Sequence, residues 1–489
     1  MSEPLRILLI DANSAWLAAG DKGGASQVVL PLGMMYLSAA LRRALGAAVE
    51  IQLINTAIDV RDGAELARQI QAYAPHVVGF RALSMAKSFF YELAATVRTL
   101  LPGATLIAGG PHATCFPEEV MAHPAIDFLV VGEGEVTLVQ LVEHLMGRRS
   151  QADLRGLFYR RGNQVVQAPP QEPIANLDAL PWPDYGILDQ SRYASVLSYG
   201  YTMRRQGVIL SSRGCPFSCK YCAKLMGQTH RVRSPAGVLG EIEMLLADGV
   251  RDIMFVDDTF NLNARRTEEI FTGILDRKLQ CNYYFPAGLR AELMTPAMVD
   301  LFVEAGTCWI TYAVETVVPR LLELSGRMGK PGPAAEIIDY TAAKGIMVGL
   351  FAMVGFPTET YEEAMTTLEY VRQRKGVTMP YLFSVKYFPD TELTRLALDI
   401  GAIDPATVAS SASAYHDVSA SRTSTLSGQQ FAELFTFYMK EILLDSDRLG
   451  HALAVQERFL SPAELAAAYS ALLGRKIQDP RKTFRSILH

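Results

Sequence analysis

The sequence has no long hydrophobic run. Its longest apolar stretches, residues 28–41 and 345–356, are interrupted by glycine or proline and fall short of the roughly 18 residues a membrane helix needs. The first residues, MSEPLRILLIDAN, lack a charged leader with a long apolar core, and 5–10 is too short for a signal peptide or a span. A cytoplasmic protein without a membrane span is expected. There is no basic excess either: 46 Lys and Arg face 51 Asp and Glu, for a net charge of −5. Nothing in that balance serves a phosphate backbone, so no nucleic-acid partner is expected. No internal repeat or low-complexity tract stands out. Cysteine is scarce, at six in 489 residues. A reducing cytosol disfavours disulfides, and clustered thiols point to metal or catalysis instead.

The length exceeds one ordinary core, so two or three domains are expected. In residues 1–150, apolar runs at 5–10, 49–54, 76–80, 104–110 and 126–132 read as buried strands. Amphipathic stretches at 31–46, 63–73, 86–100 and 135–146 read as helices. Such alternation predicts an α/β domain with a doubly wound, Rossmann-like parallel sheet. Its ligand would lie at the carboxyl ends of the strands, near DAN (11–13), LSM (83–85), GGPHATC (109–115) and GEGE (132–135). Residues 151–200 read as a hairpin (157–167) and a linker, APPQEPIANLDALPWPDYG (168–186), with five prolines. A second series, 201–390, has predicted strands at 207–214, 252–258, 282–288, 308–314, 346–355 and 382–388. Six strand–helix units predict a partial (β/α)6 barrel. Residues 391–489 read as mostly helical.

Three of the six cysteines lie within SSRGCPFSCKYCAKLMGQ (211–228), as Cys215, Cys219 and Cys222. They follow the first barrel strand, at the end where barrel enzymes do chemistry. A structural zinc site closes on four ligands. No fourth Cys or His stands at that spacing, and His230 lies in a segment read as outside the loop. Three thiolates suit a 4Fe–4S cluster with one iron left open.

The C-x3-C-x2-C pattern, with Tyr221 before the third cysteine, resembles the signature of radical S-adenosylmethionine (SAM) enzymes. AVETVVPRLLELSGR (313–327) is similar to the family's Gly-x-Glu-Ser segment, although Ala313 and Thr316 depart from it. GLFAMVGFPTET (349–360) is similar to its fifth-strand Gly-x-Pro segment, and FVDDTFNLN (255–263) and KYFPDTEL (386–393) also resemble family stretches. The resemblance covers roughly 205–395. It implies that Cys215, Cys219 and Cys222 hold the cluster. It also implies that Phe217, Tyr221, Asp257, Arg290, Glu315, Gly355, Phe356 and Pro357 surround SAM. The open iron would bind SAM, and its one-electron cleavage would give a radical that takes hydrogen from the substrate. Read by itself, Asp257 or Asp258 could instead cap the next helix. Glu315 lies in an apolar run and needs a partner, such as a ribose hydroxyl or Arg290.

A doubly wound domain ahead of such a barrel resembles the cobalamin-binding subclass, of methyltransferase type. That implies a corrin cradle at Asn13, Leu83, Ser84, Met85, Gly109, Gly110, Pro111, His112, Gly132, Glu133, Gly134 and Glu135. Asn13 stands where cobalamin modules often carry a cobalt-binding His, so no protein imidazole is expected on cobalt. His112 is expected to hydrogen-bond, and Cys115, Cys281 and Cys308 to be structural. Tyr387, Phe388, His416 and Tyr438 are possible pocket walls or core residues. The implied reaction moves a methyl group from methylcobalamin to an unactivated carbon of a small molecule, with electrons from a flavodoxin or ferredoxin. Cyclisation, ring contraction or oxidation with the same cofactors is the alternative. A cobalamin-binding protein with an idle barrel is another. No general base stands out.

Overall fold

Strands that are covered on both faces need continuous aliphatic runs, and the first half of the chain supplies them. The computed structural model describes residues 3–12, 28–162, 164–198, 200–411, 423–473 and 476–487. Asn13 and His416 lie outside the described residues. The first sheet holds β1 (Leu5–Ala12), β2 (Val49–Asn55), β3 (Val77–Ala82), β4 (Thr105–Gly109), β5 (Phe128–Val130), β6 (Leu157–Arg161) and β7 (Gln164–Gln167). Its order is β2-β1-β3-β4-β5-β6-β7. The first five strands are parallel, and the β6–β7 hairpin adds antiparallel to β5.

Helices α1 (Leu32–Leu45), α2 (Gly63–Tyr73), α3 (Lys87–Leu100), α4 (Gly110–Cys115), α5 (Pro117–Ala122), α6 (Gly134–Leu145) and α7 (Gln190–Tyr193) complete this unit. Leu8, Ile10, Val78, Phe80 and Leu106 pack against Phe89, Phe90, Leu93 and Val97 of α3. The chain divides into Met1–Tyr193 with Leu225–Gly227, and Ala194–Lys224 with Gln228–His489. The first unit therefore runs beyond residue 150, because the hairpin continues its sheet.

The second sheet contains β8 (Gln206–Ile209), β11 (Asp252–Phe255), β12 (Asn282–Leu289), β13 (Thr307–Glu315), β14 (Met347–Val354) and β15 (Met379–Ser384). A small antiparallel pair, β9 (Ser212–Arg213) and β10 (Arg231–Val232), stands apart from it. The six strands are parallel and ordered β15-β14-β13-β12-β11-β8, so the sheet is an open (β/α)6 barrel. Helices α8 (Pro235–Ala247), α9 (Ala264–Asp276), α10 (Pro296–Glu304), α11 (Pro319–Leu324), α12 (Pro331–Ala343) and α13 (Tyr361–Gln373) alternate with the strands. Ser234, Asn263, Thr295 and Thr360 cap four of them with side-chain acceptors.

The tail adds α14 (Glu392–Asp399), α15 (Pro405–Ser411), α16 (Gly428–Phe437), α17 (Ser446–Gln456), α18 (Pro462–Leu473) and α19 (Pro480–Ile487). Phe255 faces Phe271 of α9, so Met254 beside it faces the inside of the barrel. Met254, Tyr284, Trp309 and Met347 form one cross-strand row on that inner face. Leu449 and Leu453 of α17, with Leu465 and Tyr469 of α18, pack on that row. The helical tail thus fills the barrel near the strands' amino ends and leaves their carboxyl ends to the site. Tyr387 and Tyr438 are both buried, their hydroxyls donating to the carbonyls of Gly355 and Pro380.

Candidate active site

The β9–β10 pair closes the base of the cysteine loop, which then runs without helix or strand from 214 to 230. Cys219 is buried, Cys215 half-buried and Cys222 exposed. The Cys222 thiol interacts electrostatically with Cys219, Asp258 and Cys215, so the three sulfurs share one neighbourhood. Among the described residues, no three His, Cys, Asp or Glu side chains are gathered as ligands of a single metal ion. A donor set of three spread thiols fits a cluster that takes each sulfur on a different iron. Thr259 places its hydroxyl 3.3 Å from Cys215 Sγ. His230 stands at the base of the loop, next to Asp258 and the Thr259 backbone, and burial holds its pKa below the ordinary value.

The expected SAM residues divide into two sets. Asp257 is committed within the protein: it accepts from the Ser211 amide at 3.2 Å, the Ser211 hydroxyl at 2.8 Å and the Ser212 hydroxyl at 2.5 Å. Asp257 therefore holds the start of the cysteine loop. Asp258 caps no helix and accepts from the Gly214 amide at 3.2 Å. Phe356 is fully buried against Leu321, Val385 and Tyr387, so its backbone and not its ring is left for a cofactor. Gly355 takes φ +91°, and the amides of Gly355 and Phe356 both donate to Glu359. Pro357 is buried in the same turn.

The second set converges. The Arg290 guanidinium lies over the Phe217 ring, 3.6 Å from its centroid, and Arg290 Nε donates to Glu292 at 2.7 Å. Tyr221 meets Phe356 edge-on at 6.2 Å, and its hydroxyl lies 3.4 Å from Arg327. Glu315 ends β13 at φ +69°, a left-handed conformation that non-glycine residues seldom adopt, and it is buried. Burial holds the Glu315 carboxyl above its ordinary pKa, against the opposing pull of Arg327 and Arg290. Arg327 also donates to the Ala313 carbonyl. Sequence reasoning missed Arg327 and Glu359, although both lie inside the quoted segments. A lone Arg in SGR and a Glu in PTE carry no signal until burial shows what each faces.

In the first unit, Leu83 and Met85 are 37% and 44% exposed at the carboxyl end of β3, an apolar ledge. Ser84 is half-buried. Its hydroxyl lies 3.2 Å from His112 Nδ1, while His112 Nε2 meets the Tyr91 hydroxyl at 3.0 Å. GGPHATC is not the expected loop, because its residues from Gly110 to Cys115 form α4, with Pro111 in the first turn. Burial lowers the His112 pKa to about 4, so the ring is neutral at neutral pH. Gly110 takes φ +82°, and a Cβ there would stand 2.8 Å from Arg81 Cγ. Arg81 in turn pairs with Asp11 of β1 at 2.7 Å.

Gly132 takes φ +71° with open space where a Cβ would stand, whereas a Cβ on Gly134 would meet Leu37 at 3.0 Å. Glu133 accepts from the Ile174 amide at 2.9 Å, and Glu135 is buried. The N-cap residue Glu133 makes no side-chain cap on α6. An apolar ledge after β3 and an open glycine after β5 fit a corrin at the carboxyl ends of the strands. Gly109 closes β4 with room for contact, a Cβ there lying 3.9 Å from Val130.

Known proteins share both parts. Residues 23–142 match the B12 binding domain model, and 209–371 match the Radical SAM superfamily model. An uncharacterized methyltransferase of Pyrococcus horikoshii is 29% identical over 75% of this chain and 78% of its own. The cytidylyl-2-hydroxyethylphosphonate methyltransferase of Streptomyces wedmorensis is 25% identical, over 70% of each. Among solved structures, the radical S-adenosylmethionine methyltransferase TsrM of Kitasatospora setae, with cobalamin and a 4Fe–4S cluster bound, has TM-score 0.66. Its identity is 19%, over 82% of this chain and 80% of that one. The cobalamin-dependent S-adenosylmethionine radical enzyme OxsB has TM-score 0.67 at 15% identity, over 99% of this chain and 71% of that one. The chain belongs to the radical SAM enzymes that carry a B12-binding domain ahead of the radical SAM domain.

Proposed function

We propose that this protein is a cobalamin-dependent radical SAM C-methyltransferase. The observation that carries this reading is the module pair itself: a B12-binding domain ahead of a barrel whose loop presents three thiols and no fourth ligand. Relatives named as methyltransferases support the methyl-transfer outcome. When bound, the cluster and SAM supply hydrogen-atom abstraction from an unactivated carbon, and cobalamin supplies the methyl group that this carbon receives.

The chain's own residues bind and orient. Cys215, Cys219 and Cys222 hold the cluster, and Thr259 donates toward the Cys215 sulfur. Arg290 and Arg327 offer positive charge to the SAM carboxylate, while Glu315, buried and left-handed, offers an acceptor to its ribose or amino group. Leu83, Met85, Gly109 and Gly132 receive the corrin. The hydrogen-bonded Ser84–His112–Tyr91 chain stiffens the floor of that cradle. No residue is needed as a general base. The substrate is a small molecule and the reductant a flavodoxin or ferredoxin, in a cytoplasmic setting. Among the described residues, no helix is long and apolar enough to cross a membrane.

A second reading is favoured by relatives named as anaerobic magnesium-protoporphyrin IX monomethyl ester cyclases, 24% and 25% identical. The same cofactors would then act without methyl transfer. SAM carrying a deuterated methyl group decides between the two. Label in the product supports methyl transfer, and unlabelled, rearranged product supports the second reading. Failure of the reconstituted, reduced protein to form 5′-deoxyadenosine would sink both.

A further inference from the structure

Two stretches of the sequence, LELSGR (322–327) and KYFPDTEL (386–393), meet at one residue of the cysteine loop. The amide of Lys220 donates to the Ser325 carbonyl at 2.8 Å, and its carbonyl accepts from the Leu393 amide at 2.9 Å. Lys220 lies between Cys219 and Cys222, so the backbone linking two thiols is tied on both sides. Its ammonium also pairs with Glu392 at 3.1 Å. Ser325 closes α11, and Leu393 belongs to the first turn of α14. Amides of a first turn have no partner within their own helix, and here one is used on the loop.

Gly326 makes the approach possible. It takes φ +64°, and a Cβ there would stand 2.6 Å from the Ser218 carbonyl oxygen and 3.1 Å from Lys220 Cγ. The nearer contact is backbone, which cannot swing aside as a side-chain tip can. Gly329, three residues on, has no atom within 4 Å of such a position.

We propose that Ser325, Gly326 and Leu393 form a clamp that positions the cysteine loop, which makes α14, beyond the sixth strand, part of the cluster site. The proposal rests on the reading of the loop as a cluster site. All three are positioning residues and touch no reacting atom. A loop held at Lys220 keeps its thiols in ligating positions when the cluster is oxidised or when SAM arrives and leaves.

The test compares the reconstituted wild type with Gly326→Ala, Gly326→Asn and Gly329→Ala. Iron release to a chelator is followed, and the electron paramagnetic resonance signal of the reduced cluster is recorded with and without SAM. Both Gly326 variants should release iron about tenfold faster and lose the SAM-dependent change in signal, while Gly329→Ala matches wild type. Asparagine tolerates left-handed backbone but still carries a Cβ, so Gly326→Asn behaving like wild type would overturn the clamp. So would equal iron loss in Gly329→Ala. If the Gly326 variants fail to fold, amide hydrogen exchange in wild type decides. The Leu393 amide should exchange at least about tenfold more slowly than that of Glu392, its neighbour in the same first turn. Equal exchange would overturn the proposal. Wild type that assembles no cluster would instead sink the functional reading and leave the exchange result to stand alone.

Discussion

The guanidinium of Arg290 lies over the ring of Phe217, 3.6 Å from its centroid, and Phe217 stands in the sequence between Cys215 and Cys219. Arg290 is buried and Phe217 half-buried. A planar cation on an aromatic face is a geometry that lysine cannot reproduce. Arg290→Lys should therefore retain iron while its affinity for SAM falls roughly three- to thirtyfold, the range of a partly desolvated cation–π contact. Equilibrium binding of SAM to the reconstituted protein measures this, and unchanged affinity would reduce Arg290 to a partner of Glu292.

Arg448 of α17 is buried and donates to four carbonyls at the end of α13: Val371, Arg372, Arg374 and Val377, at 2.8–3.1 Å. One cation thereby satisfies the terminal acceptors of a barrel helix from the tail. Arg448→Met should cost about 2–4 kcal/mol, because four carbonyls lose a charged donor, although Val371 and Arg374 keep backbone donors. The exposed Arg481–Glu457 pair is the contrast: Arg481→Ala should leave stability nearly unchanged. Denaturant midpoints for the two variants should separate accordingly.

Glu359 is fully buried, and burial raises its carboxyl from 4.5 to about 8, although the Gly355 and Phe356 amides favour the charged form. A carboxyl raised in the folded state binds its proton more tightly there than when unfolded. Its contribution is complete below pH 4.5 and is lost as pH rises through about 8. Wild type should lose roughly 3–5 kcal/mol relative to Glu359→Gln across that window. Denaturation of both proteins at pH 5 and pH 9 checks the sign, and parallel behaviour would refute it.

The two modules should fail separately. Replacing Cys215, Cys219 or Cys222 with Ala should abolish SAM cleavage and leave cobalamin binding intact. Gly110→Val should do the reverse, since its φ is +82° and a Cβ there would collide with Arg81. The strain amounts to roughly 1–3 kcal/mol, delivered to the floor of the cradle. Iron content and cobalamin absorbance, measured on the same preparations, distinguish the two losses.

Short-range features are legible in the sequence alone. The spacing of Cys215, Cys219 and Cys222 is a property of eight consecutive residues, and the six barrel strands announce themselves as aliphatic runs of the right length. The front sheet is legible for the same reason, except that its hairpin belongs to it and α4 replaces a loop. Side-chain destinations are not legible. Ser84 and Asp257 occupy motif positions that suggest outward contacts, and the structure adds a buried partner to each, His112 for one and Ser211 and Ser212 for the other.

Periodicity and local motif therefore determined which elements form and which thiols share one loop, because those depend on residues within a turn or a strand of each other. Only the tertiary structure decided which charges face Glu315, what holds the VGFP turn and what clamps Lys220. Arg327, Glu359 and Leu393 act through burial and through backbone groups. Whether a polar group is desolvated, and which carbonyl lies within 3 Å of it, depends on chain segments far apart in the sequence, Lys220 and Leu393, 173 residues apart, being the case in point.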